Sequence, residues 1–166
     1  MNTTITDFID VRAKLSELGY RSPSGLALLP ANVESATTAE EIRQRSESAT
    51  VRTLFRQAGI PFEDVYNPSS RPPYIRNHDI TWFAPTIFVA ASVISANPNL
   101  VSVALGVLSN YLTDFFKGRL GETKIKMSFV VEQTKSEGIK GVSVSWHSVK
   151  RSLHENQVAR DLTRHG

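Results

Sequence analysis

Hydrophobic positions are unevenly spread along this chain. Residues Ile80 to Leu112 form a stretch of 33 residues without Asp, Glu, Lys, Arg or His. It divides at Asn97-Pro98-Asn99. Asn97 suits a helix N-cap, where its side chain can accept from an orphan amide. Pro98 suits the first helical position, where a missing N–H costs nothing. The pattern predicts a helical hairpin. Its first helix runs from near Thr81–Ala84 to Ala96, with Pro85 in the first turn, because an interior proline costs ~3 kcal/mol. Its second helix runs from Pro98 to Lys117, with Gly118 as the left-handed stop. That helix reads as apolar on most faces, from Leu100 to Phe116, which predicts burial or a membrane. Ala91 with Ser95, and Ser102 with Gly106 and Asn110, are small residues at four-residue spacing that would let backbones approach closely. Both arms are short for a span of ~20 residues. The polar turn and Pro85 also favour a buried core over insertion.

Elsewhere the periods change. Thr123 to Gln133 alternates: Ile125, Met127, Phe129 and Val131 fall on one side, and Lys124, Lys126, Ser128 and Val130 on the other. Gly141 to Ser148 alternates again through Val142, Val144 and Trp146. Turn residues 134–138 between them predict an antiparallel hairpin with one buried face. Residues 4–18 read as an amphipathic helix ended by Gly19, and Leu26–Leu29 as a short strand. Thr38-Ala-Glu-Glu41 reads as a capping box that opens a helix to Ala58, whose half from Arg43 to Thr50 is polar. Residues 60–79 hold Pro61, Pro68, Pro72 and Pro73 and predict a long loop, a kind of segment that tends to be functional or disordered; it reads as a lid packing Tyr66, Tyr74 and Ile75 on the core, with a polyproline-type docking segment as the alternative. Ser152-Leu-His-Glu155 reads as a second capping box before a thin amphipathic helix.

The expected class is α+β: a central buried helical hairpin packed on a small antiparallel β-sheet with flanking helices, in one domain. Its parts are residues 1–59 (helices with a short strand), 60–79 (Pro-rich loop), 80–118 (hairpin), 123–148 (β-hairpin) and 152–164 (C-terminal helix).

Composition narrows the functions. There is no cysteine, which removes disulfides, thiolate metal sites and a thiol nucleophile. The first residues show no basic stretch leading into an apolar run, so no secretory signal is expected, and the cytoplasm is the expected location. The net charge of +3 is unevenly placed. Residues 1–116 hold nine Lys/Arg against eleven Asp/Glu, and residues 117–166 hold ten against five. The basic end suggests an anionic partner, and Lys124, Lys126, Lys150 and Arg151 are the candidate anion-binding residues.

No catalytic pattern emerges. No two of His78, His147, His154 and His165 have the spacing of a zinc-binding helix face. His78-Asp79 would need a nucleophile or substrate pocket beside it to act as acid and base. Asn110 and Asp114, one helical turn apart, would need buried partners if they face inward. No catalytic, cofactor-binding or metal residue is assigned, no cofactor is expected, and no small-molecule substrate is identified. The most ligand-like patch is Arg71, Tyr74 and Arg76 in the proline-rich loop, with Arg43 and Arg45 on the polar helix half.

Asn110 to Gly118, followed by the Lys-Ile-Lys strand, resembles small bacterial proteins of no named family and brings no function with it. The expected function is a non-enzymatic protein-interaction or oligomerising module of a bacterial cytosol. The alternatives are a membrane-inserting effector acting through residues 80–112 and a nucleic-acid binder acting through the basic C-terminal third.

Overall fold

The architecture follows from how the apolar runs share one sheet. The computed structural model describes residues 2–75, 82–117, 123–132 and 139–148. In chain order the elements are β1 (Asn2–Phe8), α1 (Val11–Glu17), β2 (Leu26–Leu28), a 3-10 turn (Ala39–Glu41), β3 (Gln44–Arg45), α2 (Ser48–Gln57), β4 (Glu63–Asp64), β5 (Tyr74–Ile75), β6 (Trp82–Phe83), β7 (Ile87–Val89), α3 (Ala91–Ala96), α4 (Asn99–Phe116), β8 (Thr123–Glu132) and β9 (Ile139–Ser148). The fold is α+β. The main sheet has the order β1-β9-β8-β7-β2-β4, and β6 also pairs with β8. It is mixed rather than purely antiparallel: β7 with β8, β6 with β8 and β2 with β4 are parallel. A parallel pair needs a long crossover connection. Between β7 and β8 that connection is α3 and α4.

The uncharged stretch is therefore not a helical hairpin. Its first arm is strand at Trp82–Phe83 and Ile87–Val89, and helical only over Ala91–Ala96. The cause lies in the sheet. β7 has β8 on one side and β2 on the other, and all three of its residues are buried. A strand buried on both faces reads as a continuous apolar run, which periodicity cannot tell from a buried helix. Pro85 lies between β6 and β7, where it lacks only a ladder donor.

At β2, β7 and β8 both faces of the sheet are covered, not one. Leu26, Leu28, Ile87, Val89, Ile125, Met127 and Phe129 pack with Val51 and Phe55 of α2 and with Ala104, Leu108 and Leu112 of α4. The alternate residues Ala27, Leu29, Phe88, Ala90 and Val130 pack with Val11, Leu15 and Leu18 around α1 and with Val33, Ala36, Ile42, Val65 and Tyr66. Val130, expected on the outer side of its strand, is buried in this second layer.

α4 matches its expected span, but it is amphipathic. Ser102, Gly106, Asn110, Thr113 and Asp114 are exposed. The row of small residues is thus its solvent side, not a packing seam, and a Cβ added at Gly106 would meet no atom within 4 Å. Asn110 and Asp114 face water and need no buried partners. No side chain caps the start of α4; the Asn97 carbonyl accepts from the Leu100 amide instead. Among the described residues no helix is long and apolar enough to cross a membrane.

Two N-terminal expectations change. Residues 2–8 form β1, antiparallel to β9, and helix begins only at Val11. The run Thr3-Thr4-Ile5-Thr6 is β-branched and favours strand. Asp10 then caps α1 by accepting from the Ala13 amide at 3.0 Å. The box at Thr38 opens only one 3-10 turn, and Thr38 makes no side-chain cap. Glu41 instead accepts from the Thr37 amide and hydroxyl at 2.7 and 3.0 Å. Helix resumes at Ser48, after β3 has paired in parallel with β5. The helix expected over 152–164 lies outside the described residues.

Candidate functional site

α2 turns a stripe of Ser48, Val51, Arg52 and Phe55 inward. The spacing is that of one helical face, and three of its members suit a core. The fourth is an arginine, 2 % exposed. A guanidinium withdrawn from water must be paired, or it costs several kcal/mol. Its partners come from the segments on either side of α2. Arg52 Nε stands 3.1 Å from Asp64 Oδ2 of β4, in ion-pair contact but off the N–H direction. Arg52 Nη2 donates to Gln44 Oε1 of β3 at 3.2 Å and to Asp64 Oδ1 at 3.4 Å. Its guanidinium carbon lies 5.7 Å from the centre of the Tyr66 ring, close enough for a cation–π contact.

This cluster sets the position of the proline-rich loop. Arg71 Nη2 donates to Asp64 Oδ2 at 3.1 Å, and Gln44 Nε2 donates to the Pro72 carbonyl at 2.6 Å. The Gln44 amide donates to the Pro73 carbonyl at 3.1 Å. Gln44 thus links Arg52 to the loop through both ends of its side chain. The loop then enters β5, where Tyr74 lies opposite Gln44 and Ile75 opposite Arg45. Tyr74 is 46 % exposed and Ile75 37 %. Two large apolar side chains are left in water at consecutive positions of a ribbon whose base is buried and ionic.

Tyr66 closes the other side of the cluster. Its ring meets Tyr20 edge-on, with centroids 5.9 Å apart. Its hydroxyl is buried and has no partner among the described residues. Burial pushes its phenol well above the usual tyrosine range; Arg52 opposes that shift and Asp64 adds to it. Tyr20, whose hydroxyl donates to the Ala39 carbonyl at 3.1 Å, is also raised, by burial and then by Glu40.

Arg71 and Tyr74, two of the residues singled out in the sequence, belong to this site. Arg43 lies beside it but turns back on its own chain, donating to the Glu40 and Ile42 carbonyls at 2.6 and 2.9 Å. Arg45 is half-buried on β3, next to the ribbon. Arg43 lies in the irregular connection before β3 and Arg45 on β3, not on the expected helix half. Arg76 lies outside the described residues, as do His78 and Asp79. Lys126 is exposed on β8, and the Lys124 backbone lies two residues before it, opposite His147. Lys150 and Arg151 lie outside the described residues. Among the described residues no three of His, Asp and Glu group closely enough to hold a metal ion.

Sequence reasoning missed Gln44, Arg52 and Asp64; of the loop residues expected to pack on the core, Tyr66 is buried, whereas Tyr74 and Ile75 are exposed. One signal was available: an arginine set between Val51 and Phe55 on an inward helical stripe. Comparison with known proteins finds no matching family model, no similar curated protein and no similar solved structure.

Proposed function

We propose that this chain is a non-enzymatic protein-interaction module that binds its partner through the β3–β5 ribbon. The supporting observation is the contrast within a few residues of chain. Gln44, Arg52, Asp64 and Arg71 hold the base of the loop, while Tyr74 and Ile75 are left in water at its end. Isolated exposed apolar residues need no explanation, but an adjacent pair on a held strand is the form of a recognition element. A segment already fixed in its bound shape loses little entropy on association. The aromatic ring would anchor the contact, as tyrosines do at interface hot spots.

The test is a photo-crosslinking amino acid placed at position 74 in the full chain, expressed in its source cells. The control carries it at Gln57, an exposed position of α2. A discrete adduct at position 74, absent at 57 and lost on Ile75→Asp, is expected. An adduct of twice the chain's mass makes the partner a second copy, and any other mass makes it a different protein. Equal labelling from both positions would overturn the reading.

A further inference from the structure

Arg52 and Arg71 share one carboxylate oxygen: Asp64 Oδ2 lies 3.1 Å from Arg52 Nε and 3.1 Å from Arg71 Nη2. Two guanidiniums in contact with one carboxylate leave the cluster with an excess of positive charge. Arg52 is almost wholly withdrawn from water, where uncompensated charge is costly. Besides Arg52 Nε, which faces Asp64 off its N–H direction, two more donors on these adjoining side chains lack an acceptor among the described residues, Arg52 Nη1 and the Tyr66 hydroxyl. They belong to neighbouring side chains, since the guanidinium lies over the tyrosine ring. Gln44 does not serve them: its oxygen accepts from Arg52 Nη2, and its nitrogen donates to Pro72.

We propose that this cluster is a binding site for a small oxyanion, a carboxylate or a phosphate group. Arg52 Nη1, Arg71 and the Tyr66 hydroxyl are its donors. Excess positive charge beside unpaired N–H and O–H groups is the chemistry that an oxyanion satisfies, and the guanidinium fork matches both ligand geometries. Asp64 remains as a counterweight: it keeps the empty site from being a bare cation pair and repels the incoming anion, so binding is weak. The two unpaired donors have no exposure to solvent. The exposed run from Asn67 to Arg71 lies before the Pro72 and Pro73 contacts with Gln44. Displacement of this run is the proposed route of entry. Arg71, whose side chain is 37 % exposed, meets it first.

The test is a titration of the full chain with inorganic phosphate and, separately, with acetate. Chloride keeps the ionic strength constant. The readouts are the unfolding temperature and the NMR resonance of the Arg52 side-chain N–H. At least one oxyanion is expected to saturate both. Arg71→Gln and Tyr66→Phe should each raise its dissociation constant about tenfold, as expected for loss of one hydrogen bond to a charged group. Circular dichroism should not change. Saturation by phosphate alone assigns a phosphate group, and saturation by acetate alone a carboxylate; either supports the site. Absence of saturation by both would overturn it. So would wild-type affinity in both variants, because binding would then lie elsewhere. The readout does not involve Tyr74 or Ile75, so its failure leaves the ribbon's role as a separate question.

Discussion

The strand Ile87–Val89 and the side chain of Arg52 are both withdrawn from water, but by opposite means. The strand carries no polar side chain and lies between the two apolar layers of the molecule. Arg52 is held by one carboxylate, one amide and one aromatic face. Apolar burial tolerates shifts in geometry, because it depends on area and fit. Ionic burial depends on named partners, because loss of one leaves the others stranded. The first region sets the fold and the second sets where one loop stands. The ribbon proposed to bind a partner grows from the second.

Mutations can break this comparison. In the apolar layer, Phe88→Ala removes a fully buried ring and should cost about 3–5 kcal/mol by chemical denaturation. In the ionic cluster, Asp64→Asn should cost about 3–5 kcal/mol, because Arg52 keeps its charge and loses its counterion. The double variant Arg52→Met with Asp64→Leu removes both charges at once. Replacing a buried pair by apolar residues of similar size is often close to neutral. Its stability should therefore lie well above that of Asp64→Asn, and additive losses would sink the account.

A smaller effect tests Tyr66. Its phenol is raised in the folded chain, chiefly by burial, while an unfolded tyrosine titrates near 10.0. The folded form therefore holds its proton where the unfolded form releases it, and stability falls as pH rises through that value. Tyr66→Phe should flatten this alkaline loss in denaturation curves recorded from neutral pH upward. In anion-free buffer the variant should be no less stable than wild type, because the hydroxyl has no partner among the described residues.

The smallest effect belongs to the ribbon. Tyr74→Ser with Ile75→Ser exchanges exposed side chains and should leave the unfolding midpoint within about 0.5 kcal/mol of wild type. A large loss of stability would make the ribbon part of the core rather than a display.

Much of the scaffold was legible along the chain. The alternation from Thr123 and again from Gly141 predicted β8 and β9, and Pro98 and the apolar run after it predicted α4. The run Leu26–Leu29 predicted β2. The candidate site was half legible: Arg71 and Tyr74 drew attention as arginine and aromatic beside prolines. Arg52, Gln44 and Asp64 did not, because they lie on three different elements, α2, β3 and β4, and only the folded chain brings their side chains together around the guanidinium. The polar stretch from Arg43 to Thr50 read as the exposed half of a helix. It contains a buried glutamine and the start of the helix that buries an arginine.

Read along the chain, the amino acids show which segments are apolar, where turns interrupt them and how charge divides. These are local properties, set by side-chain chemistry and backbone sterics. The tertiary structure alone decided that the first arm of the uncharged stretch is strand and that the sheet is covered on both faces at β2, β7 and β8. It also decided that the small-residue row of α4 faces water. Each of these depends on which distant segment supplies the neighbour. An apolar run such as Ile87–Val89 suits helix or strand until β8 and β2 flank it and take its backbone hydrogen bonds. Likewise, an arginine suits the surface until a carboxylate twelve residues away makes its burial possible.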